Sequence, residues 1–284
     1  MTELTLDIDG VTVPRFLYGT AWKGERSRDL TALALAEGFR GIDTANQRKH
    51  YFEAGVGEGI GAAIADGTVA REDLFLQTKF TYRRGQDDRL PYDASAPAPK
   101  QVVQSLDNSL EHLGVEAVDS LVLHGPIKCA GWTNIDRDTW QAMEGLVDAG
   151  KVRLLGISNC AVEQVASLCK SARIRPRFVQ NRCHATRAWD KAMRAFCVRN
   201  RIVYQGFSLL TANRQVLEHP TLATIAGRYR VSIAQVVFRF AMQVGMVPLT
   251  GTTDADHMRQ DLGVFDFELD RIELATIEGL GLED

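Results

Sequence analysis

Eight short apolar runs, each followed by a longer amphipathic stretch, constrain this chain more than any other feature. The runs are FLYGT (16–20), GIDTA (41–45), LFLQTKF (74–80), SLVLHGP (120–126), VRLLGISN (152–159), FVQNRC (178–183), IVYQGFS (202–208) and MVPLTG (246–251). Between them, Leu30, Leu33 and Ala34 fit a helix ending at Gly38, and 98–113 carries i, i+3/i+4 apolar spacing up to Gly114. Stretches 137–149, 162–172, 188–200, 219–229 and 232–243 also read as helices. Near-continuous apolar strands alternating with helices predict an α/β fold with a helix-covered parallel sheet. Eight such units in 284 residues predict a closed (β/α)8 TIM barrel, a single domain over 1–284. Ahead of it, Leu4, Leu6 and Ile8 alternate with polar residues, Asp9-Gly10 supplies a turn, and Val11 and Val13 resume the alternation. That is an N-terminal β-hairpin, expected to close the barrel bottom. An open doubly wound sheet is disfavoured. FLYGTAWKGER holds no GxGxxG, and Gly57, Gly59 and Gly61 fall inside a helix candidate.

Composition narrows the function classes. With 45% hydrophobic residues, 24% charged and a net charge of −3, the chain is globular rather than disordered. No apolar run approaches the roughly 18 residues of a membrane span, and MTELTLDIDG has neither part of a signal peptide. The mild acidity gives no electrostatic case for nucleic acid. Cys129, Cys160, Cys169, Cys183 and Cys197 are widely spaced without CxxC, so reduced thiols in a cytoplasmic protein are expected. The histidines form no HxH pattern, no metal site is expected, and His112 beside Glu111 reads as solvated.

Polar residues at the C-terminal ends of barrel strands are the candidates for chemistry. Asp43, Lys79 and His124 end the second, third and fourth runs, Ser158 and Asn159 end the fifth, and Gln180 lies in the sixth. A buried lysine needs a carboxylate, and Asp43 can pair with Lys79. Such a pair could lower a nearby phenol into the range of a general acid; an ion pair that only ties the barrel mouth is the other reading. Loops 81–99 and 127–136 follow strands and so belong to the same face, as active-site loops or as tolerated surface insertions.

GFRGIDTA, LQTKF, VDSLVLHGP, GKVRLLGISN and VQNRCHA, in this order and spacing, resemble the aldo-keto reductase family from the opening hairpin to FDFELDRIELATIEGL. The resemblance implies a TIM barrel that binds a nicotinamide dinucleotide without a Rossmann motif and reduces carbonyls by hydride transfer, using Asp, Tyr, Lys and His. Asp43, Lys79 and His124 match three of the four. Where the family carries its tyrosine, counted from the aspartate, stands Arg48, in the longer loop DTANQRKHYFEAGVG. Anchored instead on Glu53 and Val56-Gly57, His50 falls opposite the tyrosine and Tyr51 one place beyond. Tyr51 is the chosen acid, with Lys79 expected to lower its phenol toward neutrality and His50 facing substrate; a histidine could also donate.

For the cofactor, the resemblance implies carboxamide contacts from Ser158, Asn159 and Gln180, and a ring under the nicotinamide from Phe207 in place of a tyrosine. It also implies backbone contacts from Ser208 and Leu210, and first-strand contacts from Gly19 and Thr20, with Asp43 nearby. At the adenosine end Leu249 replaces a lysine, Thr250 and Thr252 keep hydroxyls, and His257 and Asp261 stand where an arginine and an amide are usual. Arg259 is close enough in sequence to substitute, and the threonines could instead cap a short helix at 254–262. NADPH is the family expectation, and NADH use is open because the 2′-phosphate Lys and Arg are absent. The substrate side is read as Trp22, His50, Tyr82 and Trp132, suited to a flat or apolar small-molecule carbonyl compound. Arg83-Arg84 could meet an acidic substrate, but Asp87-Asp88 makes a solvated loop the better reading. A monomer or weak oligomer is expected. A non-catalytic nucleotide-binding subunit on the same barrel is the alternative function, motivated by the displaced tyrosine.

Overall fold

The computed structural model describes residues 4–282; positions 1–3 and 283–284, the outer ends of the 1–284 domain reading, lie outside the described residues. Strands β1 (Thr5–Ile8) and β2 (Val11–Pro14) form the hairpin, with Leu6 opposite Val13. Asp9 and Gly10 both take positive φ, as a tight primed turn requires. The eight runs become β3 (Leu17–Gly19), β4 (Gly41–Asp43), β5 (Phe75–Phe80), β6 (Val118–Leu123), β7 (Val152–Ser158), β8 (Phe178–Arg182), β9 (Val203–Phe207) and β10 (Met246–Thr250). All pair in parallel, and β10 joins β3 to β9 to close the barrel.

Around it lie α1 (Ser27–Ala36), α2 (Glu53–Ala65), α3 (Ala98–Leu113), α4 (Asn134–Asp148), α5 (Val162–Ser171) and α6 (Lys191–Asn200). They are followed by α7 (Arg214–Leu217), α8 (Pro220–Tyr229), α9 (Ile233–Gln243), α10 (Ala255–Leu262) and α11 (Arg271–Gly279). Helix α4 starts earlier than the apolar spacing indicates. Thr133 accepts from the Asp136 amide while Asp136 accepts from the Thr133 amide, a capping box that extends the first turn. Helix α6 starts later, at Lys191. Ala188, Trp189 and Asp190 take left-handed φ so that the buried Trp189 indole can donate to the Ile277 carbonyl at 2.9 Å. The cap of α10 is Asp254, which accepts from the His257 amide, not a threonine.

The period-two alternation of the strands divides two cores. Leu17, Phe75, Leu154, Phe178, Val247 and Leu249 meet Val11 and Val13 in an inner cluster, so the hairpin plugs the end where the strands begin. The alternate residues, among them Tyr18, Ile42, Leu76, Leu121, Leu155 and Val179, pack with helix residues such as Leu35, Val102, Leu106 and Val237. Gly57 lets α2 approach α3, since a Cβ there would overlap the His112 carbonyl. No helix among the described residues is long and apolar enough to cross a membrane. The five cysteines are unpaired, four buried and Cys129 exposed.

Candidate active site

Above the hydrophobic plug the barrel interior turns polar. Asp43, at the end of β4, accepts from Lys79 Nζ at 2.6 Å through one oxygen, and from Gln77 and Gln180 amides at 2.7 and 2.9 Å through the other. Lys79 also donates to the Thr44 carbonyl at 2.8 Å. Gln77 and Gln180 both donate to Gln205 Oε1, and Ser120 donates to Gln77 Oε1. Every member of this layer therefore has partners, the condition for burying polar groups without large cost. Both charged side chains are almost fully buried.

Loop 44–52 carries Tyr51 over this layer. The Gln47 carbonyl accepts from the amides of His50 and Tyr51, Gln47 Nε2 donates to the Gly85 carbonyl at 2.6 Å, and the Trp22 amide donates to the His50 carbonyl at 2.7 Å. Lys79 Nζ stands 5.3 Å from the Tyr51 ring centroid, and the Tyr51 and His124 rings meet edge-on at 6.0 Å. His124 Nδ1 lies 2.7 Å from Thr81 Oγ1. Asp43, Lys79, Tyr51 and His124 thus converge at one mouth. The structure corrects the expected tuning of the phenol. Burial, and then the Asp43 charge, push the Tyr51 pKa up rather than down. The Lys79 charge is matched by Asp43, so little net field reaches the ring and desolvation prevails. Desolvation likewise lowers the Lys79 pKa against the opposing pull of Asp43.

Burial, assisted by Lys79 and His50, pushes His124 down from 6.5 to about 3. Between those values an unfolded imidazole takes a proton that the folded one refuses, so this group erodes stability as pH falls below 6.5. In urea unfolding across pH 6.5 to 4, His124→Asn is expected to lose less stability than the parent protein; equal losses would contradict this.

The mouth opens into a cavity of about 750 Å³, within the range of cofactor sites. Gly19, Trp22, Asp43, His50, Tyr51, His124, Gln180, Phe207, Ser208, Leu210, Thr250, Thr252, His257 and Asp261 line it. Ser208 takes φ 57°, turning the chain after β9 along the wall. Thr20 is buried behind the wall, its hydroxyl on the Asp43 carbonyl. Ser158 is buried at the end of β7, and Asn159 Nδ2 donates to the His124 carbonyl and to Ser158 Oγ. Neither residue lines the cavity.

The sequence matches the aldo/keto reductase family over residues 18–281. The chain belongs to this family. The family is one of oxidoreductases that work with NAD(P)H. Among its relatives, a glyoxal reductase of Bacillus subtilis is 30% identical, with 97% of this chain and 92% of the relative covered. An aldo-keto reductase of Bombyx mori is 31% identical over 95% of this chain and 89% of the relative. A crystal structure of that enzyme in complex with NADP aligns with a TM-score of 0.84, covering 97% of this chain and 92% of the other.

Several residues of this family member stand elsewhere than the sequence reading put them. Tyr82 is not a wall of the cavity. It is buried with its hydroxyl on Asp136 at 3.1 Å and its ring against Phe80. Trp132 is likewise absent from the wall, packing against the outer core. Both follow strand ends, but the turn beyond each strand directs them behind the mouth. Arg259 is held by Glu37 and Asp256 and lies off the cavity. Arg83 binds the Asp87 carbonyl and Asp88, and Arg84 the Pro126 carbonyl. His112 is not simply solvated; its Nδ1 lies 3.4 Å from the buried Glu53. Residues the sequence reading missed are Gln77, Gln205 and Ser120 of the polar layer, Gln47 of the loop, and Lys23 and Arg182 on the wall. Their strand parity with Asp43, Lys79 and Gln180 is the signal that could have found the first three.

Proposed function

We propose that this chain is an NAD(P)H-dependent carbonyl reductase in which Tyr51 is the proton donor. The observation that carries the reading is the meeting of Tyr51, His124 and the Lys79–Asp43 pair at the head of a long cavity. The wall fits a dinucleotide. Phe207 offers an aromatic face, the chain from Ser208 to Thr211 runs along the cavity, and Lys23 stands at its rim. A bound nicotinamide dinucleotide supplies the hydride chemistry.

Tyr51 keeps its proton at neutral pH, because burial and Asp43 disfavour the phenolate. It can therefore give that proton to the carbonyl oxygen as negative charge develops there. Lys79 offsets the phenolate charge left behind, and Asp43 holds Lys79 in place. His124 is neutral. With Thr81 Oγ1 donating to Nδ1, the His124 Nε2–H is free to donate to the same carbonyl oxygen, an oxyanion-type contact.

The test is steady-state oxidation of NADPH and of NADH against a panel of aldehydes and ketones. Turnover supports the reading; tight nucleotide binding with no turnover on any carbonyl favours the non-catalytic subunit instead. At the adenosine end the wall holds Leu249, Thr250, Thr252, His257, Gln260 and Asp261, and the nearest ammonium, Lys23, is bonded to the Gly251 carbonyl. Burial raises Asp261 to about 6, so near pH 7 its carboxylate is largely charged and suits a ribose hydroxyl better than a phosphate. The NADPH and NADH dissociation constants are expected within about tenfold of each other, a difference of roughly 1.4 kcal/mol. Asp261→Asn should tighten NADPH more than NADH in a fluorescence titration; a parallel change in both would contradict the assignment.

A further inference from the structure

Beside the catalytic mouth lies a smaller annex of about 230 Å³ that shares Trp22, His50 and Tyr51 with the main cavity. Its remaining walls include Arg48, Lys49, Phe52 and Arg89. Three of these are cationic, against one carboxylate in the lining, Glu25, which is exposed. Arg89 is committed, paired with Asp87 and donating to the Arg48 carbonyl at 3.1 Å. Arg48 and Lys49 are not. Among the described residues neither side chain has a hydrogen bond or ion pair; Arg48 lays its guanidinium over the Phe52 ring at 4.3 Å and feels the Asp87 carboxylate, which Arg89 holds, only through the field. That stacking fixes the plane of the guanidinium and leaves its N–H edge available for a planar acceptor. The backbone is fixed as well. Arg48 rides the loop whose Gln47 carbonyl holds the amides of His50 and Tyr51, so the two side chains spring from one braced segment. Burial, and then Lys49, lower the His50 pKa, while Asp87, held by Arg89, pulls it the other way.

Resting on the carbonyl-reductase reading, we infer that the annex binds a carboxylate on the substrate through Arg48 and Lys49, making aldehydes and ketones that bear an acid group the preferred substrates. The carbonyl sits between Tyr51 and His124, and the acid group reaches past Trp22 to Arg48. Charge-assisted bonds to a planar carboxylate are the strong class of hydrogen bond, and the half-buried Arg48 and Phe52 present the less solvated part of the annex.

The experiment compares 4-carboxybenzaldehyde with its methyl ester. The kcat/KM ratio of acid to ester is expected to be about tenfold or more, to fall by about tenfold in Arg48→Gln, and to shrink with added salt. A ratio near one, or one unchanged in Arg48→Gln, overturns the inference while leaving carbonyl reduction standing. Reduction of neither aldehyde overturns the substrate assignment, and no turnover on any carbonyl of the wider panel, with nucleotide bound, removes the carbonyl-reductase reading as well. The annex as an anion site is then read from Trp22 fluorescence, with Trp22→Phe marking its share of the signal. Quenching by benzoate but not benzamide, lost in Arg48→Gln, supports the anion site, and identical responses to the two overturn it.

Discussion

Tyr51→Phe is expected to lower kcat by about 10²–10⁴-fold, the range for removal of a positioned general acid, while nucleotide affinity stays within about twofold. The substitution removes one hydroxyl and keeps the ring that packs edge-on against His124 and lies 5.3 Å from Lys79 Nζ. Loss of turnover then reports the proton rather than a collapsed mouth. His50→Ala is the discriminating partner. His50 stacks on Trp22 at 4.1 Å and bonds to Gln47 through Nδ1 at 2.9 Å, with burial lowering its pKa. Its side-chain hydrogen bond thus goes to the loop, not to Asp43 or Lys79, the groups that govern charge at the mouth. His50→Ala should change KM, through the Trp22 wall, more than kcat. The opposite pattern, with kcat lost in His50→Ala and kept in Tyr51→Phe, would assign the proton to the imidazole. Single-turnover rates with saturating nucleotide separate this chemistry from product release.

The barrel was legible because short, mostly apolar strands alternate with helices, several of which stop at glycines such as Gly114 and Gly150, which take positive φ. The hairpin was legible from Asp9-Gly10 and the alternation around it. Strand-end position was enough to bring Asp43, Lys79 and His124 to one mouth. It did not reveal what lies beneath them. Reading LFLQTKF as an apolar run hides that Gln77 shares the inward parity of Lys79, and the same reading hides Ser120 and Gln205. Position along the chain also says which end of the barrel a loop occupies, not which side of the loop faces the cavity. Asp136 draws Tyr82 inward behind the mouth, and no local pattern announces a hydrogen bond across that sequence distance. The annex has the same origin. Arg83-Arg84 is the visible basic pair, yet folding turns it onto backbone carbonyls and brings the more distant Arg89 beside Arg48. Tyr51, the proposed proton donor, could be singled out only through family resemblance, because the lengthened loop separates it from any strand end.

Lys79→Met is expected to cost about 3–5 kcal/mol of folding stability, the usual penalty for leaving a buried charge without its partner. Asp43 would keep the amides of Gln77 and Gln180 on one oxygen and lose the ammonium on the other, in a site that water barely reaches. For domains near this size each kcal/mol moves Tm by roughly 2–4 °C, so a drop of about 6–20 °C is expected. Combining Lys79→Met with Asp43→Asn removes both charges together. The amide oxygen introduced by Asp43→Asn would still accept from Gln77 or Gln180, and the carboxylate that Lys79 bonds is gone. The double variant should therefore melt above Lys79→Met alone, although both lack the ammonium that offsets the Tyr51 phenolate and both should lose most of their turnover. That separation is the informative part. If the pair only tied the barrel together, restoring stability in the double variant would restore activity with it. If the pair serves proton donation, stability returns and activity does not. A double variant less stable than Lys79→Met would instead mean that Asp43 stabilises the fold chiefly through the glutamine layer, as the anionic acceptor on which Gln77 and Gln180 converge.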